Sequence, residues 1–270
     1  MKIIETQNQQ GESQHSQNVK IGTPNKRRWG KWIALKLLKF FAKDDLNLSE
    51  NDKIPATFWL DIILDIVIIV ALVLFIRAFV ISPFQVYGPS MCDTLNNIDN
   101  TCIKGYGEYI IINKFGYQNL LGWQIGSPQR GDIIVFHPPK KDNEFFIKRI
   151  IGLPGETVKL QNGEVYIYNS DYPEGFKLQE GYLNAQNAGN THPYTSSLTT
   201  FEVPSGHYFV MGDNRLFSSD SRHCFKEGAG DNQCGVDPLA PFLPRENIEG
   251  KAWIVLWPLQ KIAILAGAKY

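Results

Sequence analysis

The chain has only four cysteines among 270 residues, and its charge balances at 27 Lys+Arg against 27 Asp+Glu. It lacks any CxxC or HExxH spacing, so no zinc site is suggested and no metal or cofactor is expected. It lacks GxSxG, the nucleophile elbow of one large hydrolase class. Beyond residue 83 there is no basic stripe with interleaved aromatics, which argues against nucleic acid as a partner. That region also lacks a strong periodic run of helix length, and the whole chain lacks internal repeats. Long apolar runs are scarce too: one stands out, at 58–82.

What is present is unevenly spread. Residues 1–57 carry ten Lys/Arg against six Asp/Glu, and residues 83–270 carry sixteen against nineteen. Residues 1–25 are rich in Gln, Asn and Ser without apolar pattern, and read as a disordered tail. Within 26–57, the run KRRWGKWIALKLLKFFAK (26–43) places Lys36, Lys39 and Lys43 at helical spacing. Ile33, Leu37, Phe40 and Phe41 lie mostly on another side. This is a basic amphipathic segment suited to an anionic membrane surface.

FWLDIILDIVIIVALVLFIRAFVIS (58–82) has the length and apolarity of a transmembrane helix. The positive excess precedes it, so the N-terminus is expected in the cytoplasm and residues 83–270 outside, with the lipid bilayer as a partner. A cleaved signal peptide would begin earlier and carry a small-x-small site.

After Pro83 the pattern becomes short alternating runs bounded by Gly and Pro: 84–88, 108–115, 131–139, 144–152, 156–169, 207–213 and 251–257. These predict a mainly β domain, a coiled sheet or barrel. Asn162-Gly163 between alternating runs predicts a hairpin. Residues 171–200 read as a polar surface insertion. Cys92, Cys102, Cys224 and Cys234 form two neighbouring pairs with nine residues inside each. Outside the cytoplasm they could form two local disulfides, though four cysteines allow three pairings and four buried thiols are an alternative.

Three segments carry possible chemistry. In GPSMCDTL (88–95) Ser90 follows Gly-Pro, which favours a fixed turn that exposes a hydroxyl and aims its N–H. A serine needs a base, and a desolvated lysine can serve. In FIKRIIGLPGE (146–156) strand alternation puts Phe146, Lys148 and Ile150 on one face. Burial there lowers the amine's proton affinity; acting near neutral pH requires a drop of about 3 pH units. Arg149 falls opposite and can remain solvated, although the pattern alone also permits Arg149 inward and Lys148 outward, or both at a strand edge. In MGDNRLFSSDSR (211–222) polar groups concentrate. Ser218 could orient the lysine and Asp220 could pair with Arg222, or the segment could be a solvated turn.

These segments, with RGDIIVFHPP (130–139) and the closing GKAWIVLWPLQKI, resemble in family order the bacterial type I signal peptidases. Those are membrane-bound Ser/Lys serine endopeptidases that trim exported preproteins. The resemblance implies Ser90 as nucleophile, Lys148 as general base and Ser218, Asp220 and Arg222 in support. It implies Phe84, Val86, Met91, Leu95, Val135, Phe146 and Ile147 around two shallow pockets that take small side chains, Ala-x-Ala, before the cut. It also implies preprotein substrates and a single-pass cytoplasmic-membrane location; no obligate protein partner is evident. Two positions depart from the pattern: Asp93 where Pro is usual, and Gly88 where many relatives carry a hydroxyl. Those departures leave open a membrane-anchored β-domain that binds peptides without cutting them. A Ser/His/Asp hydrolase is the third reading, but His137, His207 and His223 show no triad context.

Overall fold

A computed structural model describes residues 56–98, 101–117, 119–120, 123–124, 126–140, 143–193, 198–226, 234 and 237–270. The polar tail and the amphipathic run at 26–43 lie outside these residues. The chain divides into two compact units, Met1–Asp61 and Ile62–Tyr270, and every sheet belongs to the second.

Helix α1 spans Ala56–Phe79; at about 1.5 Å per residue its 24 residues extend roughly 36 Å. Phe58–Phe79 has a mean hydropathy of 2.9 with none of its apolar window buried, so it is long and apolar enough to cross a membrane. The helix ends three residues before the expected limit. Val80 N–H still bonds the Ile76 carbonyl at 2.9 Å, but Ile81 and Ser82 already pair with Asn113 and Ile112. Ser82 precedes Pro83, which disfavours helical backbone there, and β-branched Val80 and Ile81 suit extended chain.

The strands follow in order: β1 (Ile81–Tyr87), β2 (Asn97–Ile98), β3 (Thr101–Cys102), β4 (Tyr106–Asn113), β5 (Asn119–Leu120), β6 (Trp123–Gln124), β7 (Ile133–Phe136), β8 (Phe146–Gly152), β9 (Thr157–Gln161), β10 (Glu164–Tyr168), β11 (Phe176–Lys177), β12 (Thr200–Glu202), β13 (His207–Met211), β14 (Leu243–Pro244), β15 (Ile248–Trp257) and β16 (Ala263–Ile264). The large antiparallel sheet has the order β1-β4-β15-β7-β8-β13-β14, with β16 on β15. Register breaks at Gln85/Tyr87, Ile248/Gly250, Ala252/Ile254, Val255/Trp257 and Phe209/Val210 mark bulges that curl it into half a barrel. A second sheet, β11-β10-β9-β12, carries the expected hairpin. Asn162 at φ 53° and Gly163 at φ 79° give the two left-handed residues of a tight turn.

Both faces of the large sheet are covered at β7 and β8. Ile133, Val135 and Ile147 pack with Val86, Ile110, Ile112, Ala252 and Val255 on one side. Ile134, Phe136 and Ile150 pack with Val210, Leu243 and Ile248 on the other. From Ile147 onward every residue of β8 is therefore buried. Arg149, which alternation left able to remain solvated, is instead 2% exposed. Strand alternation separates Arg149 from Lys148, but it does not show that the second face is also roofed.

Two registers place the chemistry. Ile134 pairs with Lys148 and Val135 with Ile147 across β7–β8. Met211 pairs with Arg149 across β13–β8, which delivers the 212–222 loop beside Lys148.

Candidate active site

Ser90 sits on a turn built by its neighbours. Gly88 has φ 85°, a left-handed conformation open to glycine. Cys92 N–H closes back on the Pro89 carbonyl at 3.1 Å, and Thr94 and Leu95 N–H groups bond Met91 O at 2.8 and 2.7 Å. Cys92 is disulfide-bonded to Cys102, which ties this turn to β3; Cys224 is bonded to Cys234.

Asn96 staples the exit from the turn. Fully buried, it has φ 59°. Its side chain donates to Gly88 O at 3.1 Å and accepts Glu108 N–H at 3.0 Å, and its own N–H donates to the Glu108 carboxylate at 2.7 Å. Burial pushes the Glu108 carboxyl up, against the Asn96 N–H and the Lys261 charge. A Cβ on Gly107 would overlap the Asn96 side chain. Neither residue stands out in the sequence, because the pair forms only once β1 and β4 align.

Lys148 Nζ donates to Ser90 Oγ at 2.9 Å and to the Ile147 carbonyl at 2.9 Å. The lysine is 4% exposed, and its nitrogen lies 5.2 Å from the centre of the Phe146 ring. The group at hydrogen-bond distance from the Ser90 hydroxyl is thus an amine held among apolar side chains.

A cleft of 350 Å³ opens over this pair. Phe84, Val86, Val135, Phe146 and Ile147 line it, as the resemblance implies, together with Gln85, Tyr87, Ile110, Phe145, Phe217 and Ser219. Met91 and Leu95 are placed differently. At 1% and 0% exposed they belong to the core beneath the cleft and are not part of its wall. The helical turn that starts at Met91 points both inward. Phe145, at the start of the run 144–152, lies just before β8, and Phe217 lies in a polar run; neither position marks a cleft residue in the sequence.

The 212–222 loop forms the remaining wall. Asp220, fully buried, accepts Gly212 N–H at 3.0 Å, Arg222 N–H at 3.1 Å, and Arg222 Nε and Nη2 at 2.9 and 2.8 Å. Burial alone would push its carboxyl up. The Arg222 guanidinium, the His223 ring and the Gly212 N–H outweigh this and hold it far below the usual carboxylate range. Arg222 also donates to Arg215 O at 2.9 Å. Ser218 Oγ is buried and has no hydrogen-bond partner among the described residues, so the bond it could make to the lysine is not formed there. It nevertheless lies close by: a Cβ on Gly212 would overlap both Ser218 Oγ and the Ser90 carbonyl oxygen.

A second buried pair joins the loop to the nucleophile turn. Arg149 donates to Asp213 at 2.8 and 2.6 Å and to Gly131 O at 2.8 Å, while Thr94 Oγ1 donates to Asp213 at 2.5 Å. The Arg149 guanidinium stacks 4.0 Å over the Tyr182 ring. Asn214 N–H and Nδ2 hold the carbonyls of Ser90 and Pro89 at 3.1 and 3.0 Å.

A hydroxyl against a buried amine, in an apolar cleft walled by fixed polar loops, is a site for acyl-transfer chemistry. Residues 59–257 match the family described as signal peptidase, peptidase S26. Signal peptidase I of Pseudomonas fluorescens is 33% identical over 223 residues, 72% of this chain and 72% of that protein. Signal peptidase I U of Bacillus subtilis is 38% identical over 178 residues, 66% of this chain and 84% of that one. A solved signal peptidase I from Enterococcus faecalis is 34% identical, covering 46% of this chain and 96% of that one, with a TM-score of 0.32. The chain belongs to the signal peptidase family, peptidase S26, and is a serine peptidase.

Proposed function

We propose that this enzyme is a membrane-anchored endopeptidase that removes signal peptides from exported preproteins, with Ser90 as nucleophile and Lys148 as general base. The observation that carries the reading is the 2.9 Å hydrogen bond between Lys148 Nζ and Ser90 Oγ at a lysine 4% exposed. Burial disfavours an ammonium, which is the condition a lysine needs to act as a base.

Ser90 Oγ bonds to the scissile carbonyl carbon as its proton passes to Lys148 Nζ. The carbonyl oxygen becomes an oxyanion within reach of the Ser90 N–H. Pro89 has no N–H and Gly88 no hydroxyl, so water or another backbone donor completes that site. The ammonium then protonates the departing amine as the C–N bond breaks. Water, deprotonated by the regenerated amine, opens the acyl-enzyme. Ser218, beside the Ser90 carbonyl, would orient the amine when substrate displaces solvent, while Asp220 and Arg222 hold its loop.

Specificity follows from the cleft. β1 is an edge strand among the described residues, so an extended substrate can pair with it. Val86, Val135 and Ile147 leave shallow apolar space that suits alanine before the cut and excludes larger side chains. Helix α1 would anchor the enzyme in the cytoplasmic membrane. The positive excess ahead of it puts the N-terminus in the cytoplasm and the disulfide-bonded domain outside.

The test is cleavage of a preprotein bearing an Ala-x-Ala site by the full chain in detergent. Wild type cuts after the second Ala, and Ser90→Ala and Lys148→Ala each lose at least about a thousandfold in rate. Binding of the signal segment without cleavage by wild type would leave a peptide-binding domain instead.

A further inference from the structure

The aspartate at 93, three residues after Ser90, connects the nucleophile turn to a distant segment. One Asp93 oxygen accepts Asn184 N–H at 2.7 Å, and the other accepts Asn184 Nδ2 at 3.0 Å and Asn187 Nδ2 at 2.8 Å. Asn184 Oδ1 in turn accepts the N–H groups of Gln186 and Asn187 at 2.8 and 3.0 Å, a local turn that presents the donors together. Asn187 is 2% exposed, and its Oδ1 accepts Leu216 N–H at 3.1 Å. Leu216 lies two residues after Asn214, which holds the Ser90 carbonyl. A closed ring results: Ser90 turn, Asp93, Asn187, Leu216, Asn214 and back to Ser90.

The segment that supplies these donors is itself firmly held. Arg215 makes an ion pair with Glu180 and donates to Thr191 Oγ1 at 2.6 Å, so the stretch is pinned near both ends. Leu178 and Thr191 are each 1% exposed. This part of 171–200 is mostly exposed, but it is tied at Arg215 and Leu216 to the loop that walls the site. Hydrogen bonds to an ionised acceptor are roughly twice as strong as neutral ones, and three of them converge on one carboxylate.

We propose that Asp93 is a positioning residue for Ser90, and that the 180–191 segment is the anchor against which it holds the turn. The proposal rests on the reading of Ser90 as nucleophile. Loss of the carboxylate frees the turn to drift from Lys148, and misplacement of reacting groups by about 1 Å can cost on the order of a hundredfold in rate. Substrate binding along β1 does not involve this ring, so the effect falls on kcat.

The experiment measures kcat and KM on the Ala-x-Ala preprotein, with thermal midpoints, for Asp93→Ala, Asp93→Asn, Asn184→Ala and the Asp93→Ala/Asn184→Ala double variant. Asp93→Ala lowers kcat about tenfold or more with KM within about twofold. Asp93→Asn, which keeps an acceptor for the side-chain donors, falls between it and wild type. Asn184→Ala loses about threefold, and the double variant is no worse than Asp93→Ala within about twofold, because both weaken the one link between Asp93 and the 180–191 segment. A folded Asp93→Ala with wild-type kcat, or losses that multiply in the double variant, overturns the proposal. Should Asp93→Ala not fold, wild-type kcat in Asn184→Ala, an exposed position, overturns it instead. Failure of the nucleophile reading is separately visible as cleavage by Ser90→Ala.

Discussion

Replacing Asp220 by Asn tests the buried polar framework behind the cleft. The carboxylate accepts four N–H donors, three from Arg222 and one from Gly212. An amide at this position has one acceptor oxygen and turns an NH2 group toward the guanidinium. Arg222, 1% exposed, then keeps only carbonyl partners, and a buried charge that loses its counter-ion costs about 3–5 kcal/mol. At roughly 2–4 °C per kcal/mol for a domain of this size, the midpoint of thermal unfolding drops by roughly 6–20 °C. The pH dependence has a definite sign. Asp220 is held below the ordinary carboxylate range, so its contribution is fully present above that range and is lost as pH falls through its folded value. The gap between wild type and Asp220→Asn is therefore flat from about pH 8 to 5 and narrows only under strong acid. Circular dichroism melts of both proteins in one detergent across that range provide the assay. A midpoint within about 2 °C of wild type, or a gap that widens as pH falls, refutes the reasoning.

Three further outcomes follow from the same geometry. Gly212→Ala pushes a methyl group into Ser218 Oγ and the Ser90 carbonyl; cleavage falls at least about tenfold, measured as kcat on the preprotein. Val135→Trp crowds the cleft over Ser90, and KM for the Ala-x-Ala substrate rises in initial-rate kinetics, while overpacking at this core position lowers the melting midpoint. Removing the Cys92–Cys102 bond by replacing both residues with Ser releases a link that closes a separation of 10 residues. Stability falls by about 2–3 kcal/mol on chain-entropy grounds, measured by urea unfolding.

Much of this architecture was legible in the sequence because it depends on local pattern. The Asn162-Gly163 hairpin follows from turn chemistry, and α1 from one apolar run. Each strand named in advance has its counterpart, because Gly and Pro bound the alternating segments. The face shared by Phe146, Lys148 and Ile150 also follows from alternation alone. What stayed hidden depends on residues far apart in the chain. The place of Arg149 stayed open because one strand does not reveal that its second face is covered, nor that Asp213, 64 residues later, will supply the counter-charge. Asp93 had no account until Asn184 and Asn187 came within reach of it. Asn96 and Glu108 carry no motif, and their reciprocal hydrogen bonds exist only in the folded register. Met91 and Leu95 were implied as pocket residues by the family resemblance, but the turn between them points both into the core.

The most direct measurement follows the protonation of the Lys148 side chain itself. Isotope-edited NMR of the full chain in detergent, set beside the pH profile of kcat/KM, would report it. If Lys148 is the base, its amine loses its proton well below the ordinary lysine range, and activity rises through the same pH as Lys148 becomes neutral. An ammonium that stays protonated throughout the active range, in an enzyme that still cleaves through Ser90, would contradict it.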